Sequence, residues 1–261
     1  VIFTGSNDTA RKISQTLSQN PGPILPLIAE TGGQNCMIVD STALPEQVVR
    51  DVLASAFDSA GQRCSALRVL FIQEDIAETI LTMLKGAMAE LSIGNPDLLS
   101  TDIGPVIDLQ AKTQLENHVN HMKQEAKLIF ELKLPSELSA GTFVAPTVFE
   151  IKNIKQLKQE VFGPVLHIIR YKESELSQVI DQINSTGFGL TFGIHTRINE
   201  KVKEVTQKIR AGNLYVNRNT IGAIVGTQPF GGEGLSGTGF KAGGPHYLLK
   251  LTTERCISED T

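Results

Sequence analysis

The chain has 261 residues, 41% hydrophobic and 20% charged, with a formal net charge of -4 at pH 7. That composition suits a globular chain of one large domain, or one domain plus part of another, and excludes a basic nucleic-acid module or a like-charged tail. No apolar stretch approaches the roughly 20 residues a membrane-crossing helix needs, and no signal peptide is expected from these residues.

In chain order, residues 1–3 are strand-like, and 8–17 suit a helix with Asp8 able to cap it and Ile13 and Leu17 four apart. Residues 35–39 read as a strand and 45–55 as a helix with Pro45 in its first turn. A buried-type strand is expected over 67–72. A long amphipathic helix follows over 75–91, with Ile76, Ile80, Leu84 and Met88 on one stripe. Residues 109–126 are helical, 128–130 a strand, 174–184 a helix, 190–195 a strand, 200–210 a helix and 213–217 a strand. Such alternation predicts an α/β fold: an open, mostly parallel twisted sheet with helices on both faces. The Gly cluster 222–244 reads as loop, punctuated by Phe230, Leu235 and Phe240. Leu249 and Leu251 alternate with Lys250 and Thr252, as in a strand. The chain opens on an apolar strand with no initiator Met, so it is expected to be part of a longer polypeptide.

Three cysteines, Cys36, Cys64 and Cys256, have no CxxC spacing, which disfavours a disulfide framework or a zinc site and fits a reducing cytosol. Cys36 lies in an apolar run and Cys256 near the end, so both read as inert. Cys64 alone would read as a packed thiol, because cysteine is among the most buried residue types. Its setting, Ser59-Ala60-Gly61-Gln62-Arg63-Cys64-Ser65-Ala66, adds a cation and small residues, a combination that can lower a thiol pKa. Glu30 stands earlier in Glu30-Thr31-Gly32-Gly33, where the Gly pair permits a sharp bend and close backbone approach. A carboxylate so placed can activate the water that releases a covalent intermediate. His118 and His121, three apart with Glu116 nearby, have a spacing that can bind metal. On a polar helix they read as exposed side chains, and His167, His195 and His246 as isolated.

Glu30 and Cys64, in this order and at this spacing, resemble the catalytic pair of the aldehyde dehydrogenase superfamily. The opening Val1-Ile2-Phe3-Thr4-Gly5-Ser6 and the later Glu160-Val161-Phe162-Gly163-Pro164-Val165 extend the likeness. The runs 222–232 and 236–245 are similar to the glutamate-semialdehyde (1-pyrroline-5-carboxylate) dehydrogenase branch, and more narrowly to the dehydrogenase half of bifunctional proline-utilisation enzymes.

The resemblance implies NAD-dependent oxidation of L-glutamate 5-semialdehyde to L-glutamate. FAD would belong only to a proline dehydrogenase domain absent from this chain. Cys64 is implied as nucleophile, its backbone N–H as an oxyanion donor, and Glu30 as deacylation base. Thr4, Gly5, Ser6, Glu160 and Phe162 are implied cofactor contacts. Arg63, Ser65, Gly222, Ala223 and Phe230 are implied at the substrate, whose carboxylate wants hydroxyl and N–H donors. Residues 1–28 would be the remnant of the NAD-binding domain, 29–234 the catalytic domain and 235–261 a C-terminal loop and oligomerisation arm, making a homo-oligomer. The family's second oxyanion donor, an upstream Asn, and the adenine contacts have no counterpart here, so the chain by itself is expected to fold without turning over. Two other readings stay open: another dehydrogenase of small acid aldehydes, and an inactive structural fragment. The presence of both Cys64 and Glu30 argues against the latter.

Overall fold

The computed structural model describes residues 1–260. Its elements run β1 (Ile2–Thr4), α1 (Asn7–Gln19), β2 (Ile28–Glu30), β3 (Cys36–Val39), α2 (Pro45–Phe57), β4 (Val69–Gln73) and α3 (Glu74–Ala89). They continue with α4 (Leu109–Glu125), β5 (Lys127–Glu131), β6 (Thr147–Glu150), β7 (Val165–Tyr171), α5 (Leu176–Asn184), β8 (Phe188–Gly189), β9 (Thr191–His195), α6 (Asn199–Lys208), β10 (Asn213–Val216) and β11 (Glu233–Gly234).

Seven strands form one open sheet in the order β10-β9-β3-β4-β7-β6-β5, parallel except for the β5–β6 pair. Its central strands β3 and β4 are buried along their whole length, as a sheet covered on both faces demands. The core joins Met37, Ile38, Leu70 and Phe71 to Val48 and Val52 of α2 and Ile80, Leu84 and Met88 of α3. The predicted α3 stripe holds, with Ala77 buried and Ile76 only half-buried. The connections that enter β3, β4 and β7 at their N-terminal ends carry Glu30 to Gly33, Cys64 and Glu160 to Phe162, so the candidate site lies at that end of the central strands, while Gly222 and Ala223 follow β10.

Several expectations need correction. The strand β1 is largely exposed, with Val1 48% and Ile2 56% accessible, and pairs only with β2. Ser6, not Asp8, caps α1: its hydroxyl accepts from the Thr9 N–H at 3.3 Å. Strands β6 and β7 carry no signal strong enough to have been read, because Glu150, His167 and Arg170 break their apolar runs. The C-terminal stretch forms a 3-10 turn over Leu249–Leu251 in place of a strand. Among the described residues, no helix is long and apolar enough to cross a membrane.

His118 is not a solvent-facing helix residue. Its Nε2 lies 2.9 Å from Nε2 of the fully buried His167, whose Nδ1 is 3.2 Å from the Arg68 carbonyl. Nδ1–H of His167 therefore donates to Arg68, and His118 donates to the remaining His167 nitrogen. Burial lowers the His118 pKa to about 4 and that of His167 to about 3. Both pKa values fall on folding, so this contribution to stability is complete above about 6.5 and is lost as pH drops through about 4 and then 3. Denaturant midpoints should fall between pH 6.5 and 4, with a slope of up to about 1.4 kcal/mol per pH unit for each imidazole. His118→Gln should flatten that slope; an unchanged slope would refute the assignment.

Candidate active site

The segment between α2 and β4 is held under strain. Ser59, Ala60 and Gly61 have φ of 57, 53 and 67°, three successive residues in the left-handed region. For the two non-glycine residues this costs about 1–2 kcal/mol each. The surroundings dictate the shape. A Cβ on Gly61 would collide with the Gly163 carbonyl oxygen. The Gln62 side chain accepts from the Ile107 N–H at 2.8 Å and donates to the carbonyls of Ser59 at 3.2 Å and Pro105 at 3.3 Å. Strain over-determined in this way is found where a loop must present one side chain in one direction.

That side chain is Cys64. It is half-buried, and the N–H groups of Cys64 and Ser65 both favour its sulfur as an anion. Asn35, itself 2% exposed, donates through Nδ2 to the carbonyls of Cys64 at 2.7 Å and Ala66 at 2.8 Å, and accepts from the Thr191 N–H at 3.1 Å. The buried Ser65 is fixed through its carbonyl, which accepts from the hydroxyls of Thr191 at 3.2 Å and Thr220 at 3.0 Å. The Cys64 loop is thus pinned by backbone contacts on both sides of the sulfur.

The electrostatics differ from the sequence expectation. Arg63 is exposed, and its Nε donates to the Ser59 hydroxyl at 3.0 Å; it does not pair with the thiol. Burial raises the Cys64 pKa, and the charges of Glu160 and Glu30 raise it further. The buried cation of this region is Arg68. Its guanidinium donates to the Gly163 carbonyl at 3.2 Å and the Arg63 carbonyl at 3.1 Å, and lies 3.6 Å from Glu160.

Glu30 ends β2, paired with Thr4 of β1. Its Oε2 accepts from the Gly232 N–H at 2.9 Å, while Oε1 is buried without a hydrogen-bond partner among the described residues. Burial raises its pKa to about 7; the Gly232 N–H and the Lys241 ammonium oppose the rise. Lys241 in turn donates to the Gly212 carbonyl. A carboxyl balanced near neutrality, with one free oxygen and electrostatic reach to a thiol, has the properties of a general base.

Glu160 bends onto the Gly32-Gly33 turn, where its Oε1 accepts from the Gly33 N–H at 3.1 Å, and a Cβ on Gly32 would collide with its carboxylate. Burial raises its pKa, opposed by Arg68 and the Gly33 N–H. Phe162 is 43% exposed, with the Arg68 guanidinium 5.3 Å from its ring centroid. Thr4, Gly5 and Ser6 are exposed at the start of α1, and the Gly5 N–H donates to the Glu30 carbonyl at 3.1 Å. Phe230 is half-buried and exchanges two backbone hydrogen bonds with Ala242, at 3.0 and 2.9 Å. The following Gly231 lies so close to Glu30 that a Cβ there would be 2.7 Å from Oε1. Gly222 and the half-buried Ala223 follow Thr220, which ties their loop to Ser65; Gly222 has φ 72° and open space where a Cβ would project.

Contacts therefore link Thr4 to Ser6, Glu30 and Phe230 on one side, and Cys64, Ser65, Glu160, Phe162 and the Gly222–Ala223 loop on the other. The charges of Cys64 and Glu30 couple the two sides. Sequence reasoning missed Asn35, Arg68, Thr220 and Lys241. Only Arg68 left a trace: a charged residue at the head of the apolar run Val69 to Ile72 must find a buried partner.

The chain matches the sequence profile of the aldehyde dehydrogenase family over residues 1–257. It is 58% identical over 264 aligned residues to the bifunctional protein PutA of Salmonella typhimurium, an alignment covering 98% of this chain and 20% of that protein. It superposes on the crystal structure of a point mutant of proline utilization A from Bradyrhizobium japonicum with a TM-score of 0.95 and 55% identity, covering 98% of this chain and 26% of that one. A 1-pyrroline-5-carboxylate dehydrogenase from Thermus with bound NAD superposes with a TM-score of 0.89 at 33% identity, covering 95% of this chain and 48% of that one. The chain thus spans about a fifth of the Salmonella protein and about half of the Thermus enzyme.

Proposed function

The chain belongs to the aldehyde dehydrogenase family, and from that premise we propose that it carries the catalytic site for NAD-dependent oxidation of L-glutamate 5-semialdehyde to L-glutamate. The observation that carries this reading is the pairing of a half-buried thiol, flanked by two N–H donors, with a carboxyl whose pKa lies at about 7. In this reading residues 1–28 complete a cofactor domain, 29–234 form the catalytic domain and 235–261 form an arm between subunits. The exposed Leu248, Leu249, Leu251 and Ile257 support the arm, since apolar side chains grouped in one segment favour burial against a partner.

The residues present fit a dinucleotide. The first-turn N–H groups of α1 suit an anionic phosphate beside Gly5 and Ser6, and the half-exposed Phe162 ring next to the Glu160 carboxylate suits a ribose and its base. When bound, NAD supplies the acceptor for the hydride lost by the substrate carbon. The chain's own part is as follows. Cys64 sulfur bonds to the aldehyde carbon, and backbone N–H groups at the nucleophile stabilise the oxyanion that develops. After oxidation the acyl group remains on sulfur as a thioester. Glu30 takes a proton from water, the water oxygen bonds to the acyl carbon, and the carbon–sulfur bond breaks to release the acid.

The α-carboxylate of the substrate would be read by main-chain N–H groups of the Gly222–Ala223 loop with Ser65, and Phe230 would pack on the aliphatic chain. A side chain at Gly222 projects into open space and at φ 72° strains the loop backbone, so it would disturb this contact without displacing the core. In the full-length natural protein, Gly222→Leu should raise KM for glutamate semialdehyde about tenfold, some 1.4 kcal/mol, and leave KM for a simple aliphatic aldehyde nearly unchanged. Equal losses for both substrates would show that this loop does not read the carboxylate.

A further inference from the structure

Accepting Cys64 as the nucleophile, the site has an unresolved imbalance. Burial opposes ionisation of the thiol, and the carboxylates Glu160 and Glu30 oppose it further. Arg63, the cation adjacent in sequence, turns outward to Ser59. At the sulfur itself, the backbone N–H groups of Ser65 and Cys64 favour the anion. A nearby cation would offset these effects and bring such a thiol toward reactivity near neutral pH.

Arg68 is that cation. It is fully buried, which disfavours its charge, and the Glu160 carboxylate and a thiolate at Cys64 oppose that effect. Its guanidinium spans two loops at once: on one, the Arg63 carbonyl one residue before the nucleophile at 3.1 Å, and on the other, the Gly163 carbonyl at 3.2 Å and the Glu160 carboxylate at 3.6 Å. The Phe162 ring covers it, and its Nε is buried without a hydrogen-bond partner among the described residues. Its own backbone is fixed as well: Arg68 N–H donates to the Asn35 carbonyl at 3.0 Å, and the Arg68 carbonyl accepts from His167 N–H at 3.0 Å. We propose that Arg68, not Arg63, is the cation that sustains Cys64 as a thiolate, and that the same guanidinium is a positioning residue holding the nucleophile loop in register with the Glu160–Phe162 loop. Only a planar fork can bridge two carbonyls and a carboxylate in this way; a lysine ammonium has the charge without the geometry.

The test reads the thiol, not the dehydrogenase, so it stands whether or not glutamate semialdehyde is the substrate. The rate of iodoacetamide alkylation at Cys64 is followed by peptide mass against pH in the full-length protein, with folding checked by circular dichroism. Arg68→Met should raise the apparent thiol pKa by one unit or more and slow alkylation at pH 7.5 about tenfold, the usual effect of losing one nearby opposite charge. Arg63→Gln should leave the profile where it was. Glu160→Gln should shift it the other way and speed alkylation. If Arg68→Met does not fold, Arg68→Lys should keep the thiol titration and quicken amide hydrogen exchange over residues 61–66. An unchanged alkylation profile in folded Arg68→Met, an equal loss in Arg63→Gln, or unaltered exchange in Arg68→Lys would overturn the assignment.

Discussion

Cys64→Ala in the full-length natural protein should leave no measurable aldehyde oxidation. Three thiols are present, and the other two cannot substitute. Cys36 is buried in β3 and its pKa is raised by that burial. Cys256 is exposed in the C-terminal segment, outside the linked contacts of the site. Cys64 alone stands on a strained, over-determined loop with N–H donors at its sulfur. Loss of the attacking atom in a covalent mechanism typically costs on the order of 10⁶ in kcat. The proposed dinucleotide contacts at Gly5, Ser6, Glu160 and Phe162 are untouched by the change, so NAD affinity, measured by calorimetry, should stay within about twofold, some 0.4 kcal/mol. Turnover above a thousandth of wild type would refute Cys64 as the nucleophile.

Glu30→Gln should separate the two halves of the reaction. Thioester formation needs the thiolate and the oxyanion donors, so a burst of about one equivalent of product per site is expected. Release of the acid needs a base and should slow by about 10²–10⁴. Mass spectrometry should then find the acyl group on Cys64. The pH dependence follows from the raised pKa: only the ionised carboxylate can accept the proton, so deacylation should rise as pH increases through about 7 and level off above it. In the Gln variant that step should vanish from the profile.

The same shift has a stability consequence of opposite benefit. Glu30 has a higher pKa folded than unfolded, so its contribution to stability is present below the unfolded value and lost as pH rises through about 7. Glu30→Gln should therefore melt higher than wild type at pH 8 while turning over far more slowly. A variant with both normal deacylation and unchanged melting would show that Glu30 is an ordinary surface acid.

Local signals carried much of this protein's reading. Alternating apolar runs announced β3, β4 and β9, because a strand buried on both faces must be apolar wherever it runs. The four-residue spacing of Ile80, Leu84 and Met88 announced the packed face of α3, and Pro45 the first turn of α2. The Glu30 and Cys64 motifs stood out because their chemistry requires small residues beside reactive ones. Strands β6 and β7 stayed hidden because Glu150, His167 and Arg170 find partners only in the folded sheet: His167 with His118, and Arg170 with Glu78 at 2.6 Å and Glu150 at 2.9 Å. The electrostatics of the site were equally out of reach. Adjacency in sequence put Arg63 beside the thiol, but the left-handed turn at Ser59–Gly61 points its side chain to solvent and leaves Arg68 inside. Glu30 owes its pKa to burial and to Gly232 and Lys241, about two hundred residues away in the chain. A residue's identity and its neighbours in sequence are local facts; its solvation and its charged partners are properties of the whole packed chain, and only the tertiary structure decides them.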